Sequence, residues 1–493
     1  MTFLNKIVDW KNNSILIIIV NIAIFLISVL LLIYSVLRAT SLSFTIDESI
    51  SYNVFVPLKF MDIVSFKIAI ANNHMINTLF MKYISVLFGS NELLLRLPSI
   101  LSHLVYIVFS YKIIKKIASP VILLAGFLLL NLNPYLLDFF SLARGYAMAV
   151  SFTVVSVYFL LNYIEYSKLK SITWSFIFAV LAVLSNFTLL IFFISLIAVV
   201  NIHWLVSQSH ININELIKRN IPVFICSIVL IVIMFEPIRK LIKFKEFYDG
   251  GTISFWSDTV GSLISASLYG QSYRLATLLF LKNVIAVCSL ILVTTFVYHL
   301  YIKKLKIFLD KVSITILLLL ISCLVPIAQH LLLKSYFPIN RMALVYIPLF
   351  FFPIILLADV VVKSNKIKFL ILPLMVIFSG AVTFHTFRTL NTSYALYWKF
   401  DADTKKMLSD LETMVKNDDK LPINLGVMWL YEPTINYYRI AKKYSWLEIV
   451  TEDTYKKPDF DYYYLADTCL NYVRGINKPI IKHYLTSDSY LVK

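Results

Sequence analysis

Long apolar runs alternate with short polar segments between residues 14 and 387. A helix of about 20 apolar residues spans the roughly 30 Å hydrocarbon core of a bilayer. The pattern therefore predicts about eleven transmembrane helices, near residues 14–37, 96–116, 119–136, 146–163, 172–186, 188–206, 221–238, 276–301, 312–333, 342–362 and 367–387. The first run is longer than the apolar region of a signal peptide and lacks a small-residue cleavage site, so it is predicted to be a span.

Composition leads to the same class of protein. Hydrophobic residues make up 59% of the 493-residue chain and charged residues only 15%, and the mean hydropathy is +0.79. A soluble protein of this length would carry far more charge on its surface. The expected fold class is therefore an α-helical polytopic membrane protein with about eleven transmembrane helices.

Charges in the connecting loops predict the orientation of these spans. If the N-terminus is cytoplasmic, the inner loops hold fourteen lysines and arginines, whereas the short outer loops hold only Arg144, Lys334 and Arg341. Such a bias is typical of cytoplasmic loops, and anionic lipid headgroups account for the net charge of +17. An odd number of spans then places the first long loop and the C-terminal tail outside. Heavy use of lysine, isoleucine and asparagine is typical of bacteria with AT-rich genomes. We therefore expect the protein in a bacterial cytoplasmic membrane.

The tail forms a second predicted domain. From Tyr394 to Lys493 it holds 14 basic and 14 acidic residues. The segments "LPINLGVMWLYEP" and "DYYYLAD" resemble strands, and "TKKMLSDLETMVKN" resembles an amphipathic helix. We therefore predict a transmembrane module over 1–390 and a small extracytoplasmic α/β domain over 391–493. A nucleic-acid-binding domain would be basic, so nucleic acid is excluded as a partner. The four cysteines show no disulfide or zinc-binding spacing.

The first outer loop, residues 38–95, carries most of the candidate chemistry. It opens with "SFTIDESISYN", in which Asp47 and Glu48 follow the first span directly. Its segments "VPLKFMDIVSFKIAI" and "HMINTLFMKYISVLF" place polar residues at helical spacing. Both segments fit helices lying in the membrane interface or, alternatively, ordinary extracellular helices packed on the tail.

Polar residues outside the tail gather at the outer ends of the predicted spans. They are Asp47, Glu48, Asn73, His74, Arg96, Asp138, Arg144, Tyr146 and Arg341. A coupled transporter usually carries ionisable groups at the membrane midplane, next to helices broken by glycine or proline. Charges at the centre of the spans are rare here and the chain has only ten glycines, so a lipid or polysaccharide transporter is disfavoured.

Three motifs, in this order, resemble the GT-C superfamily of membrane glycosyltransferases. They are "IDESISYN", "NNHMINTLFMKYISVLFGSNELLLRLPSIL" and "NPYLLDFFSLARGYAMA", and a later "INRMALVYIPLF" is similar to the arginine that opens a late span in that family. The nearest look-alikes are protein O-mannosyltransferases and lipid A aminoarabinose transferases. The resemblance implies an enzyme that moves a sugar from a polyprenyl-phosphate or -diphosphate carrier to an acceptor (a glycan, a lipid or a protein) entering from outside.

The resemblance also assigns roles to residues. Asp47, with Glu48 beside it, matches the family's catalytic base or metal-holding group, so a divalent cation at Asp47 stays open and no other cofactor is implied. His74 aligns with the basic residue that meets the lipid phosphate, although Met75 and Ile76 replace the family's two prolines. Arg96, Arg144 and Arg341 correspond to phosphate-binding or structural arginines, and Asp138 lies in the third motif as a further candidate for the substrate site.

General chemistry supports the same assignment. A hydroxyl acceptor needs a carboxylate to take its proton as the new bond forms, and arginines suit the departing phosphate. A base and a phosphate clamp on opposite sides of the anomeric carbon give transfer with inversion. Two alternatives stay open for individual residues: Asp47 as a helix N-cap, and an Asp138–Arg144 ion pair of purely structural importance. A ligase or polymerase that uses a lipid-diphosphate carrier is the competing activity.

Overall fold

The computed structural model describes residues 14–207, 213–364, 367–416, 420–469 and 478–493. The chain divides into two compact units. The first unit contains the residues up to Ile33 together with Ile100–Phe140 and Gly145–Leu390, and the second contains Tyr34–Ser99, Ser141–Arg144 and Asn391–Lys493. The second unit thus combines the tail with the first loop, which the predicted division had placed in a transmembrane module over 1–390.

Among the described residues, nine helices are long and apolar enough to cross a membrane. Their bounds are Ser14–Ser41, Glu92–Ile114, Gly145–Tyr166, Leu190–Ser207, Ile213–Lys243, Leu275–Lys303, Lys311–Leu333, Tyr346–Lys363 and Lys368–Thr389. Two shorter apolar helices, Pro120–Asn131 and Leu169–Ser185, occupy the other two predicted spans. The protein is therefore a multi-pass membrane protein, and each of the eleven predicted runs contains a helix.

Side-chain caps explain where several of these helices begin. Ser119 accepts a hydrogen bond from the backbone N–H of Ile122 at the start of Pro120–Asn131. Asn186 accepts one from the N–H of Thr188, so it separates the helix that ends at Ser185 from the next one. A short polar side chain at such a position satisfies amides that lack a partner within the helix. Single polar residues between apolar runs therefore mark the helix boundaries.

Small residues allow close packing inside the first unit. The Oγ of Ser156 donates to the carbonyl of Ser175 at 2.8 Å, and the Oγ of Ser175 donates to the carbonyl of Ser156 at 2.9 Å. This reciprocal pair joins Gly145–Tyr166 to Leu169–Ser185. At Gly126 an added Cβ would lie 2.8 Å from a methyl carbon of Ile355, so only glycine fits there without a shift of the neighbour. Such interfaces are typical of helices packed within a membrane.

The C-terminal part of the second unit is the predicted α/β domain. Its strands are β1 (Leu425–Val427), β2 (Tyr462–Ala466), β3 (Ile480–Tyr484) and β4 (Ser489–Val492), in the sheet order β1-β2-β4-β3. β1 and β2 are parallel, and the helix Glu432–Ala441 lies between them in the chain. The other two strand pairs are antiparallel. The predicted segments contain β1, β2 and the helix Thr404–Val415, but β3 and β4 were not predicted.

The first loop shares a hydrophobic core with this domain. Its helices are Ile46–Ile50, which continues as a π-helical turn over Ser51–Phe55, then Phe60–Val64 and Met75–Phe88. The ring of Phe44 stacks on that of Tyr437 at a centroid distance of 3.9 Å. Val56, Met81 and Leu95 join the same core. The loop therefore packs on the tail.

The helix Met75–Phe88 also has an apolar surface. One side buries Met75, Asn77, Thr78 and Met81, and the exposed large hydrophobic residues are Phe80, Tyr83, Val86, Leu87 and Phe88. Exposed apolar patches of this kind are common where a helix rests on a membrane surface. Packing of the loop on the tail is confirmed, and contact of the exposed side with the membrane interface stays a prediction.

Candidate active site

The short helix Ile46–Ile50 carries both first-loop carboxylates, and Thr45 caps it. The Oγ1 of Thr45 accepts from the backbone N–H of Glu48 at 3.3 Å, while Glu48 Oε2 accepts from the N–H of Thr45 at 2.9 Å. This reciprocal arrangement is a capping box. Asp47 is the second residue of the helix, so the N-cap alternative for Asp47 is wrong.

Glu48 is buried and occupied by other protein groups. Arg96 donates two hydrogen bonds of 2.8 Å to Glu48, from Nε to Oε1 and from Nη2 to Oε2. The backbone N–H of Ala143 donates to Oε1 at 2.5 Å, and Thr45 donates to Oε2 through both its N–H and its hydroxyl. Because a carboxylate has about four lone-pair sites, these donors leave no room for an acceptor hydroxyl. This occupancy favours a structural role for Glu48, and its expected catalytic role stays a prediction.

Arg96 is saturated in the same way. Besides Glu48, its guanidinium donates to the carbonyls of Ala39, Leu42 and Ser43 at 2.9–3.0 Å. Five N–H groups thus meet five acceptors, which is the full donor capacity of arginine. The side chain is completely buried. Of the two roles implied for Arg96, this arrangement fits the structural arginine and not the phosphate ligand.

Asp47 lies in a different environment from its neighbour. Its side chain is 16% exposed, and Oδ2 lies 3.5 Å from Nη2 of the buried Arg144. Its backbone carbonyl accepts from Asn72 Nδ2 at 2.9 Å, from Ser51 Oγ at 2.9 Å and from Arg144 Nη1 at 3.1 Å. The backbone of Asp47 is therefore fixed by three donors, while its carboxylate reaches the surface.

Arg144 draws together segments that are distant in sequence. Its Nη1 donates to the carbonyl of Asn72 at 3.2 Å and to the hydroxyl of Ser51 at 3.0 Å, in addition to Asp47. The sequence predicted both Asp47 and Arg144 as site residues, and the structure places them in contact. Asn72, which links Asp47 to the segment preceding His74, was not predicted from the sequence.

His74 begins the helix Met75–Phe88 in an extended conformation and is almost fully buried. The preceding Asn73 accepts from the hydroxyl of Thr78 at 2.9 Å and donates to the carbonyl of Ile63 at 3.1 Å. These two bonds fix the turn in which the family has its two prolines. The expected phosphate-binding role of His74 stays a prediction.

Asp138 and Arg341 belong to the first unit. Asp138 is buried and accepts a 2.6 Å hydrogen bond from the hydroxyl of Tyr269. The guanidinium carbon of Arg341 lies 6.0 Å from the ring centroid of Tyr146, a cation–π distance. For these two residues a role in substrate binding stays a prediction.

One further carboxylate contacts the helix that carries Asp47. Asp401, at the end of the 3₁₀ helix Leu396–Asp401, is buried and accepts from the backbone N–H of Ile46 at 2.7 Å. Burial raises the pKa of Asp401 well above its usual value, and the negative charges of Asp47 and Glu48 raise it further. Asp401 was not among the site residues predicted from the sequence.

A metal ion finds no complete set of ligands in the described part of the chain. No group of three histidine, cysteine, aspartate or glutamate side chains lies close enough together there to hold one. Glu48, the carboxylate adjacent to Asp47, is already occupied by Arg96. A divalent cation at Asp47 stays a prediction.

Comparison with known proteins points to one superfamily. Residues 75–239 match the family described as dolichyl-phosphate-mannose-protein mannosyltransferase. No curated protein matches the sequence. The structure resembles apo ArnT from Cupriavidus metallidurans with a TM-score of 0.50 and 10% sequence identity, over 95% of this chain and 97% of that one. For ArnT of the same organism bound to undecaprenyl phosphate the TM-score is 0.48, the identity 10%, and the coverage 96% and 97%.

The family match contains Arg96, Asp138 and Arg144, and the structural match extends over both units. At 10% identity the structural likeness concerns the fold. The order of the motifs had already indicated the same superfamily. The chain thus has the fold of the GT-C membrane glycosyltransferases, and the resemblance predicted from its motifs is confirmed.

Proposed function

We propose that this protein is an inverting glycosyltransferase that moves a sugar from a polyprenyl-phosphate-linked donor to an acceptor hydroxyl on the extracytoplasmic side of the membrane. The observation that carries the proposal is the contrast between the two first-loop carboxylates. Glu48 is completely buried and occupied by Arg96, whereas Asp47 is 16% exposed and fixed through its backbone. The family description names a dolichyl-phosphate-linked sugar as the donor of that family, which supports a polyprenyl carrier here.

In the proposed reaction Asp47 accepts the proton of the acceptor hydroxyl. The hydroxyl oxygen forms a bond to the anomeric carbon as the bond between that carbon and the phosphate oxygen breaks. The electron pair of the broken bond leaves with the lipid phosphate, and the proton stays on Asp47 until solvent removes it. Attack opposite the leaving group inverts the anomeric configuration. General-base assistance of this kind contributes roughly 10²–10⁴-fold to the rate.

Arg144 is proposed to orient the base. Its Nη1 binds the carbonyl of Asp47, and its Nη2 lies 3.5 Å from the carboxylate. Arg144 thus contacts both the backbone and the carboxylate of Asp47. His74 keeps its proposed role as a contact of the donor phosphate, since Arg96 has used its donors elsewhere. A role of Arg341 in donor binding is a separate proposal, because Arg341 belongs to the first unit.

The orientation is part of the proposal. The bias of basic residues toward one set of loops favours a cytoplasmic N-terminus, and the second unit then lies outside. A bacterial cytoplasmic membrane suits a polyprenyl-phosphate donor. The acceptor is proposed to be a glycan, a lipid or a protein exposed on that side.

The test is Asp47→Asn in the purified full-length protein, assayed with a polyprenyl-phosphate-linked sugar. Asparagine has nearly the same shape but cannot act as a base, so the transfer rate is expected to fall by about 10²–10⁴-fold. Asp62→Asn is the matched control, because Asp62 is also a first-loop carboxylate but pairs at the surface with Lys67 at 3.2 Å. Its transfer rate should stay near that of the wild type.

A near-normal rate in Asp47→Asn would overturn the role of Asp47 as base. Rescue of that variant by a divalent cation would instead identify a metal ligand. If a lipid-diphosphate-linked glycan is the better donor and Asp47→Asn retains activity, the protein is the alternative ligase or polymerase.

A further inference from the structure

Asp401 contacts the start of the helix that carries Asp47. Its Oδ2 accepts the N–H of Ile46 at 2.7 Å, and its Oδ1 accepts the hydroxyl of Thr434 at 3.1 Å. The N–H of Ile46 is one of the first amides of a helix, which have no acceptor within the helix itself. Asp401 therefore fixes the backbone one residue before Asp47.

A second contact reaches the same helix from the tail. Thr434, on the helix Glu432–Ala441, accepts from the hydroxyl of Ser49 at 3.4 Å. The carbonyl of Pro433 accepts from Asn53 Nδ2 at 2.8 Å. Asp401, Thr434 and Ser49 are all fully or almost fully buried. The C-terminal segment thus holds the chain on both sides of Asp47 and Glu48.

Burial of the Asp401 carboxylate does not by itself stabilise the fold. A buried carboxylate loses its hydration, and Asp401 faces two other carboxylates, whose charges raise its pKa together with burial. A well-packed apolar side chain often stabilises a buried position as well as or better than a charged one. The benefit of a carboxylate here lies in its direction, because it accepts from Ile46 and Thr434 at the same time.

We propose that Asp401 is a positioning residue of the active site, which holds the helix Ile46–Ile50 so that Asp47 faces the substrate. The C-terminal domain then completes the active site. This inference rests on the proposed function of Asp47. A displacement of about 1 Å at a reacting group can cost on the order of 10²-fold in rate, so the loss of this one anchor should be measurable.

The experiment compares Asp401→Ala and Asp401→Asn in the purified full-length protein, with Asp403→Ala as the control. Asp403 is a nearby buried carboxylate that accepts from the N–H and the hydroxyl of Ser487, both at 2.9 Å. Removal of the Asp403 carboxylate breaks two similar hydrogen bonds, neither of which involves the helix Ile46–Ile50. kcat, the KM for the donor and the thermal unfolding temperature are measured for each variant.

We expect kcat of Asp401→Ala to fall about 10²-fold, with a donor KM within about threefold of the wild type and an unfolding temperature similar to that of Asp403→Ala. Asp401→Asn should regain most of kcat, because the amide oxygen still accepts from Ile46. Equal kcat values for Asp401→Ala and Asp403→Ala would overturn the proposal.

Two further variants keep the test decisive. Should Asp401→Ala fail to fold, Thr434→Val removes the partner of Asp401 and of Ser49, and we expect it to lower kcat. Full activity of both Thr434→Val and Asp401→Asn would then show that Asp401 is needed only for folding, and the positioning role would be wrong. If Asp47→Asn is active, the role of Asp47 as base fails. If Asp47→Asn is inactive while folded Asp401→Ala is active, only the positioning role fails.

Discussion

Glu48→Gln should destabilise the second unit strongly. Glutamine offers one acceptor oxygen where the carboxylate now meets five donor contacts from Arg96, Ala143 and Thr45. Its amide N–H groups would point at other donors, and the buried Arg96 would lose its counter-charge. Removal of one partner from a buried ion pair costs about 3–5 kcal/mol. For a domain of 150–250 residues, each kcal/mol lowers the midpoint by roughly 2–4 °C, which gives a fall of roughly 6–20 °C.

The assay is thermal unfolding of the purified protein in detergent, followed by intrinsic fluorescence. Glu432→Gln is the matched control, since Glu432 lies in the same unit and accepts from Asn436. A double variant, Glu48→Leu with Arg96→Met, removes both charges and should be less destabilised than the sum of the single variants. If Glu48→Gln unfolds within about 2 °C of the wild type but loses transfer activity, Glu48 takes part in the chemistry and the structural role argued here is wrong.

Three more predictions concern topology, the donor and pH. Cysteines placed at the exposed Lys67 and Lys456 should both react with an impermeant reagent on whole cells; labelling at one position alone contradicts the orientation. Arg341→Lys keeps the charge but loses the planar fork, so turnover of the donor should fall, and fall further in Arg341→Ala; unchanged turnover in both variants removes Arg341 from the site. Burial and the charges of Asp47 and Glu48 raise the pKa of Asp401 in the folded protein. The contribution of Asp401 to folding stability is therefore complete below the usual aspartate pKa of about 3.9. That contribution is lost as the pH rises through the raised pKa of the folded state. The unfolding temperature of the wild type should therefore fall relative to Asp401→Asn as pH rises above about 4; parallel curves for the two proteins would contradict this.

The membrane helices could be predicted because a bilayer imposes one requirement on every span. Each run must be apolar and long enough, and the breaks carry caps such as Ser119 and Asn186. The strand β3 was missed because it is largely exposed, so it lacks the run of buried residues that marks β1 and β2. Short strands of this kind depend on pairing with distant residues more than on their own pattern.

The different environments of Asp47 and Glu48 could not be predicted from the sequence. Asp47 and Glu48 are adjacent carboxylates, and only the fold brings Arg96 to Glu48 and Arg144 to Asp47. The saturation of Arg96 depends on backbone carbonyls, which every sequence has. Asp401 lies just before an amphipathic helix, where an aspartate is expected as a cap, so its contact with Ile46, 355 positions away, left no local signal.

The second unit is assembled from pieces at opposite ends of the chain, and this has a consequence for biosynthesis. Phe44 and Met81 share a core with Leu408, Tyr437 and Leu491, so the core of the first loop is incomplete until the segment beyond residue 400 has been made. During synthesis Asp47 emerges early, yet neither Asp401 nor Thr434 exists until the last helix of the first unit, Lys368–Thr389, has been translated. A partly made chain therefore carries Asp47, the proposed base, without the groups that hold its helix. Truncation within 391–493 should expose apolar surface in the first loop and recruit chaperones there, even though every membrane helix is intact.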